Sequence, residues 1–248
     1  MKKIIFLGLL SFSLAALWLL PLSFVKPYAE KHIKGLKMED VSGTIWNGES
    51  GKFTINNESL GHVRWKVKPL ESLTALSLKS SFNIEDSVFK AHGIATITPQ
   101  KKLLLDNTYF ELNASYFNKL QKQATLKGDI TGNIKHAVLI EKTLPEIKGT
   151  VDWKEASVTS PLVKLDTGDY RAVISPDSGD MKILLSSSDA PAEIRGKIKL
   201  NKEWIYETDL SIKTNNNGLG AMLELLGKKQ TNGSVLVKNK GDLKPFIK

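Results

Sequence analysis

The sequence predicts a mainly β protein: an N-terminal transmembrane helix, then an elongated, curved antiparallel β-sheet domain with one or two short helices. Three observations predict it. Residues 4–25 carry no charge. Beyond them, apolar and polar residues alternate with period 2 in most segments. A glycine between two apolar residues also recurs on what would be the buried face of a strand. The composition is that of a folded chain: 248 residues, 41% hydrophobic and 25% charged, with a net charge of +9.

The uncharged stretch comes first. Lys2 and Lys3 precede it and Lys26 follows. As one helix at about 1.5 Å per residue it would span about 33 Å, enough for a hydrocarbon core of ~30 Å. It holds 14 Leu, Ile, Phe or Val residues, each favouring insertion. Ser13-Leu14-Ala15 offers the alternative of a cleaved signal peptide. Cleavage there would leave Ala16–Val25, a second apolar run, on the mature chain, so an uncleaved anchor is the better reading. Lys2 and Lys3 favour a cytoplasmic N-terminus, opposed by Lys26, Lys31, Lys34 and Lys37. A large following domain translocates largely regardless of such charges. Residues 1–27 are therefore read as a cytoplasmic stub and anchor, and 28–248 as a periplasmic β domain.

The strands follow. Val63, Trp65 and Val67 face one way, with Arg64, Lys66 and Lys68 opposite, and Pro69 ends the strand. Alternation also marks 76–84, 194–200 and 204–212. Further strands are predicted near 41–46, 50–56, 88–98, 103–113, 125–140, 147–153, 158–165, 170–175, 182–187 and 233–238. Asn47-Gly48 and Asn232-Gly233 have turn chemistry. Short helices are predicted over 114–123 and over 219–227, the latter stopped by Gly227. No Pro/Gly/Ser-rich linker interrupts the body, which reads as one domain.

The recurring glycines are Gly43, Gly128, Gly149 and Gly196, each with apolar residues two positions away on both sides. Glycine there permits a bulge, sharp bending or close approach of another backbone. Their irregular spacing excludes a solenoid.

Chemistry is scarce. There is no cysteine, which excludes disulfides, thiolate metal sites and cysteine nucleophiles. His32, His62, His92 and His136 lack metal-ligand spacing. P-loop, dinucleotide, GxSxG and HExxH patterns are absent, and no carboxylates pair as a glycosidase requires. No catalytic residue, cofactor or metal is assigned. The lysines alternate with apolar residues along strands, as on a solvated sheet face, which argues against nucleic acid. Trp46, Trp65, Trp153 and Trp204 read as core rather than ligand platforms. Trp46 and Trp65 are expected to pack together, with truncation costing roughly 3–5 kcal/mol if buried.

Val41-Ser42-Gly43-Thr44-Ile45-Trp46-Asn47-Gly48 resembles the V-x-G-T-aliphatic-W-x-G signature of the type II secretion system protein N family. Gly61-His62-Val63-Arg64-Trp65-Lys66-Val67-Lys68-Pro69 is similar to a second family segment. The C-terminal end, with Gly227, Gly233 and Gly241, resembles the family too. The resemblance singles out Gly43, Thr44, Trp46, Gly48, Gly61, Trp65, Pro69, Gly227, Gly233 and Gly241 as structural motif residues. It implies a bitopic inner-membrane component, without enzymatic activity, of the machinery that exports folded proteins across the outer membrane. Implied partners are other secretion subunits and the inner membrane through residues 4–25, with no nucleic acid and no small-molecule substrate. The alternative is an AsmA-like periplasmic lipid-handling protein, for which a continuous apolar groove would speak. An uncleaved anchor makes a definite prediction: mass spectrometry of the purified protein will find no chain beginning at Ala16.

Overall fold

The structure, a computed structural model, describes residues 2–119, 124–160 and 164–246. The chain divides into two compact units, Met1–Pro99 and Gln100–Lys248. The first holds helices α1 (Lys2–Trp18) and α2 (Leu22–His32). Strands β1 (Lys37–Gly43), β2 (Asn47–Ile55) and β3 (Glu58–Val67) follow, then α3 (Pro69–Thr74), β4 (Leu78–Glu85) and β5 (Phe89–Ile97). The second holds β6 (Leu103–Asn113), a 3-10 turn at Ala114–Lys119, β7 (Thr125–Leu139), β8 (Glu146–Thr159), β9 (Lys164–Asp177) and β10 (Asp180–Ser188). It continues with β11 (Ala192–Leu200), β12 (Ile205–Thr214), α4 (Asn217–Leu226), β13 (Lys228–Lys229), β14 (Val235–Asp242) and a last 3-10 turn, Lys244–Phe246.

Within each unit the strands pair antiparallel with their neighbours in sequence. The order is β1-β2-β3-β4-β5 in the first and β6-β7-β8-β9-β10-β11-β12-β14-β13 in the second. This meander follows from the alternation, because short turns between half-buried strands give antiparallel pairing. Two-residue turns with positive φ at both positions close two of the hairpins. They are Asn56-Asn57 (φ 50° and 70°) and Ser178-Gly179 (φ 55° and 93°).

The second unit's sheet is bent. Cα atoms of β8 come within 8 Å of β10, and those of β9 within 8 Å of β11. Strands two apart in a flat sheet would lie about 9.6 Å apart, twice the usual spacing. The recurring glycines sit where backbones crowd. Gly43 lies against the Asn47 carbonyl, Gly128 against Lys154, Gly149 against Asn133 and Gly196 against Asp209. Gly128 has φ +103° and marks a register shift between β7 and β8, so the bulge reading holds there.

Several boundaries differ from the sequence reading. The apolar stretch 4–25 is not one helix. α1 ends at Trp18 and α2 begins at Leu22, with Pro21 between them. Proline removes a donor and restricts the residue before it. The freed backbone is used by the sheet instead: Leu20 accepts from the Ile45 N–H at 3.2 Å, and Pro21 bridges Thr44. α1 has 17 residues, about 26 Å at 1.5 Å each. Among the described residues, no helix is long and apolar enough to cross a membrane. Asn47-Gly48 does not form the hairpin turn but opens β2, and the chain reverses at Thr44–Trp46. The segments predicted at 147–153 and 158–165 are not separate strands. β8 runs unbroken to Thr159, and residues 161–163 lie outside the described ones. Leu76 and Trp204, expected within strands, precede β4 and β12 with φ +47° and +64°. The helix predicted at 114–123 is a 3-10 turn ending at Lys119, with 120–123 outside the described residues. The helix predicted at 219–227 is α4, capped at its start by the Asn216 side chain, which accepts from the Leu219 N–H at 3.0 Å.

Two substitutions should act in opposite directions. Gly128→Val puts a β-branched residue at positive φ against a carbonyl and should cost about 2 kcal/mol. A Cβ at Gly220, inside α4, meets nothing within 4 Å. Gly220→Ala should stabilise by about 0.5–1 kcal/mol. Denaturant titration of the two variants against the parent chain will show the two signs.

Candidate functional site at the helix–hairpin junction

The signature Val41–Gly48 forms the tip of the β1–β2 hairpin. Gly43 pairs with Gly48 across the ladder. Between them the Thr44 N–H donates to the Asn47 carbonyl at 2.9 Å, and the Asn47 N–H donates to the Thr44 hydroxyl at 3.2 Å. The two bonds fix a compact turn that holds Trp46 out from the sheet.

The turn grips the end of α1. The Trp46 Nε1–H donates to the Leu17 carbonyl at 2.9 Å, where the helix ends and the carbonyl otherwise accepts only a long 3.4 Å bond from the Leu20 N–H. The Trp46 ring stacks on Trp18, with centroids 6.0 Å apart and planes 23° apart. Leu22, at the start of α2, is buried at 4% exposure. Behind the turn, the Trp65 Nε1–H donates to the Ile45 carbonyl at 3.1 Å. Gly48 is required here. A Cβ on it would lie 2.7 Å from the Trp65 ring, 2.7 Å from the Thr44 carbonyl and 3.1 Å from Leu22. Glycine lets the indole lie directly on the backbone.

Trp46 and Trp65 therefore brace the same turn, Trp46 through the Leu17 carbonyl and Trp65 through the carbonyl of Ile45, the neighbour of Trp46. Both are half-buried, as are Trp153 and Trp204, so none is a fully enclosed core residue. A hairpin tip and a sheet one layer deep offer no opposing layer to enclose them.

Pro69 lies just beyond the junction, as the first residue of α3, where its missing N–H costs nothing. The Ser72 hydroxyl donates to the Lys68 carbonyl at 2.7 Å and accepts from the Lys79 N–H at 3.0 Å, tying α3 to β4. Glu71 bridges Lys79 at 2.6 Å and Lys68 at 3.3 Å. The Lys79 hydrogen bond, helped by Lys68, holds the Glu71 carboxyl below the usual carboxylate range. This bridge is present at neutral pH and is lost as pH falls through that lowered value. An apolar groove of about 930 Å³ opens beside it, walled by Leu17, Trp18 and Trp46 on one side and by Leu73, Leu76 and Ile97 on the other. The sequence reading treated Pro69 as a strand stop and a motif residue, not as a helix start. Pro69-Leu70-Glu71 was the available helix-start signal.

The remaining motif residues stand apart from the junction. Gly61 sits on β3 at an irregularity opposite Phe53, with φ +71°. In the second unit Gly227 caps α4, Gly233 occupies the turn before β14, and Gly241 lies under the Tyr206 ring. Among the described residues no three His, Asp or Glu side chains group as metal ligands.

A family model for type II secretion system (T2SS), protein N, matches residues 34–238. The chain belongs to the type II secretion system protein N family. Membership makes it an accessory type II secretion component, and the family is not a known enzyme family. No curated protein and no solved structure matches the chain. In this protein N chain, Gly43, Thr44, Trp46 and Gly48 build the turn that receives the N-terminal helix.

Trp46→Ala removes both the bond to Leu17 and the stack on Trp18. The expected loss is about 2 kcal/mol, below the ~3–5 kcal/mol of a fully buried tryptophan. Trp46→Phe should recover the stacking part only. Thermal unfolding of both variants in detergent, against the parent chain, will check the order.

Proposed function

We propose that this protein is a non-enzymatic scaffold subunit of type II secretion, held in the inner membrane by α1, with both β units in the periplasm. The observation that carries this reading is the junction. A short turn built from the family signature fastens an apolar helix to the first sheet, as a membrane-tethered scaffold needs.

The helix itself supports the tether. Phe6, Leu7, Leu9, Phe12 and Trp18 are all more than half exposed, on a helix with no polar face. A surface helix of a water-soluble domain would instead bury an apolar stripe. α1 is about 4 Å shorter than a ~30 Å hydrocarbon core, a mismatch that local bilayer thinning absorbs. The N-terminus is then cytoplasmic, with a large domain translocated behind it.

For partner binding, strand edges supply the chemistry. β13 covers β14 only at Val235 and Leu236. Among the described residues no strand pairs with the outer edge of β14 beyond Leu236. Such an edge can accept a strand from another secretion subunit, main-chain bonds giving affinity and alternate side chains giving specificity. Confinement to one membrane raises the effective concentration of partners. No catalytic group, cofactor or small-molecule substrate takes part.

A lipid-handling role is the rival reading. It is favoured by an apolar hollow of about 270 Å³ in the second unit, lined by Trp153, Val158, Tyr170, Leu185 and Ile194. Deletion of the gene, an export assay and crosslinking of the tagged chain in intact cells separate the two. A crosslink to another secretion subunit is expected, together with activity of a periplasm-dependent reporter fused after Lys248. Normal export, no such crosslink and co-purifying phospholipid would replace the scaffold reading with the rival.

A further inference from the structure

α3 and the turn after it carry three leucines with almost no cover. Leu70, Leu73 and Leu76 are 81%, 72% and 77% exposed, within seven residues of chain. An exposed apolar cluster of this kind marks a surface that is covered in the working state. Leu73 and Leu76 also form one wall of the 930 Å³ groove, and the facing wall includes Leu17 and Trp18, in the last turn of α1. The last turn of α1 and the end of α3 therefore border one apolar groove.

We propose that α3 and Leu76 insert into the same membrane that holds α1, giving the first unit a second attachment at the depth of the last turn of α1. This rests on the reading of α1 as a membrane anchor. Lipid is the occupant the geometry favours, because an embedded α1 brings acyl chains to the mouth of the groove without any recruitment. The residue types agree with an interfacial site. Trp18 lies at the rim, where tryptophan settles at the headgroup level. Lys68 and Lys79 flank α3 and both bridge Glu71, placing two cationic side chains near the leucines, where anionic headgroups would lie. Two attachment points would fix the tilt of the first unit on the membrane, where α1 alone would leave it free to swivel.

The chain has no cysteine, so one introduced thiol takes one label. The full chain, carrying a nitroxide at Leu73→Cys or Leu76→Cys, would be reconstituted in vesicles of phosphatidylethanolamine and phosphatidylglycerol. Relaxation by oxygen, which concentrates in lipid, is compared with relaxation by a water-soluble nickel chelate. Phe12→Cys on α1 and Glu58→Cys on the exposed start of β3 are the references for lipid and water. Leu70→Cys is a third reporter should either of the first two disturb the turn. The expected result is an oxygen-to-chelate ratio at Leu73 and Leu76 shifted to the side of Phe12 and opposite to Glu58. Aqueous values at Leu73 and Leu76 with a lipid value at Phe12 would overturn the insertion while leaving the anchor standing. Labels shielded from both reagents would mean a protein occupant, and would also overturn it. An aqueous value at Phe12 would remove the anchor and the insertion together.

Discussion

Backbone ladders between neighbouring strands carry each sheet. The burial pattern follows from this. Among the described residues, no large apolar side chain falls below 2% exposure; Ser50 does, with the small Ala114 and Ala192. The Ser50 hydroxyl donates to the Glu39 carbonyl at 2.8 Å, so a polar group replaces a core side chain where β1 and β2 crowd. Stability then comes from many ladder hydrogen bonds, each contributing about 0.5–1.5 kcal/mol net, and from half-buried cross-strand pairs. Trp65 opposite Phe82 and Trp153 opposite Tyr170 are such pairs. Exposed ion pairs such as Lys240–Glu207 and Arg171–Asp152 add little, because water and salt screen them.

The same shortage of enclosure explains the Val41–Gly48 turn. A hairpin tip on a thin sheet has no interior in which to fix a helix. The turn therefore holds α1 by a carbonyl, a stacked ring and a glycine that admits an indole. Thr44, Trp46 and Gly48 are useful together and not singly: the hydroxyl sets the turn, the turn aims the indole, and the glycine seats the second tryptophan behind it. Conformational and packing demands of this kind, with no reacting group among them, suit a scaffold.

Much of this was legible in the sequence. Alternation located most strands, since one wet face and one apolar face impose period 2 on every residue between turns. Val63, Trp65 and Val67 share a face in β3 as that pattern requires. What escaped was set by contacts between segments distant in sequence. The break at Leu20 depends on Ile45 donating to its carbonyl, and the partner of Trp46 lies 28 residues earlier at Trp18. Asn47-Gly48 has the composition of a tight turn, yet the Thr44 hydroxyl moved the reversal three residues upstream. The exposed leucines of α3 were invisible for another reason, because a six-residue helix is too short for its period to register.

The strand order has a consequence for how the chain becomes structured. In each unit nearly every strand pairs with the one made just before it, and the only departure places β14 before β13 beside β12. Contacts of short sequence separation form quickly, since little loop entropy is lost before they are rewarded. Apart from β13, which waits for β14, each strand after the first in its unit finds its template already laid down, so a sheet can lengthen at one growing edge as the chain emerges. No late-arriving segment must be threaded between strands already paired. A chain that emerges start first can thus assemble nearly in the order of its emergence.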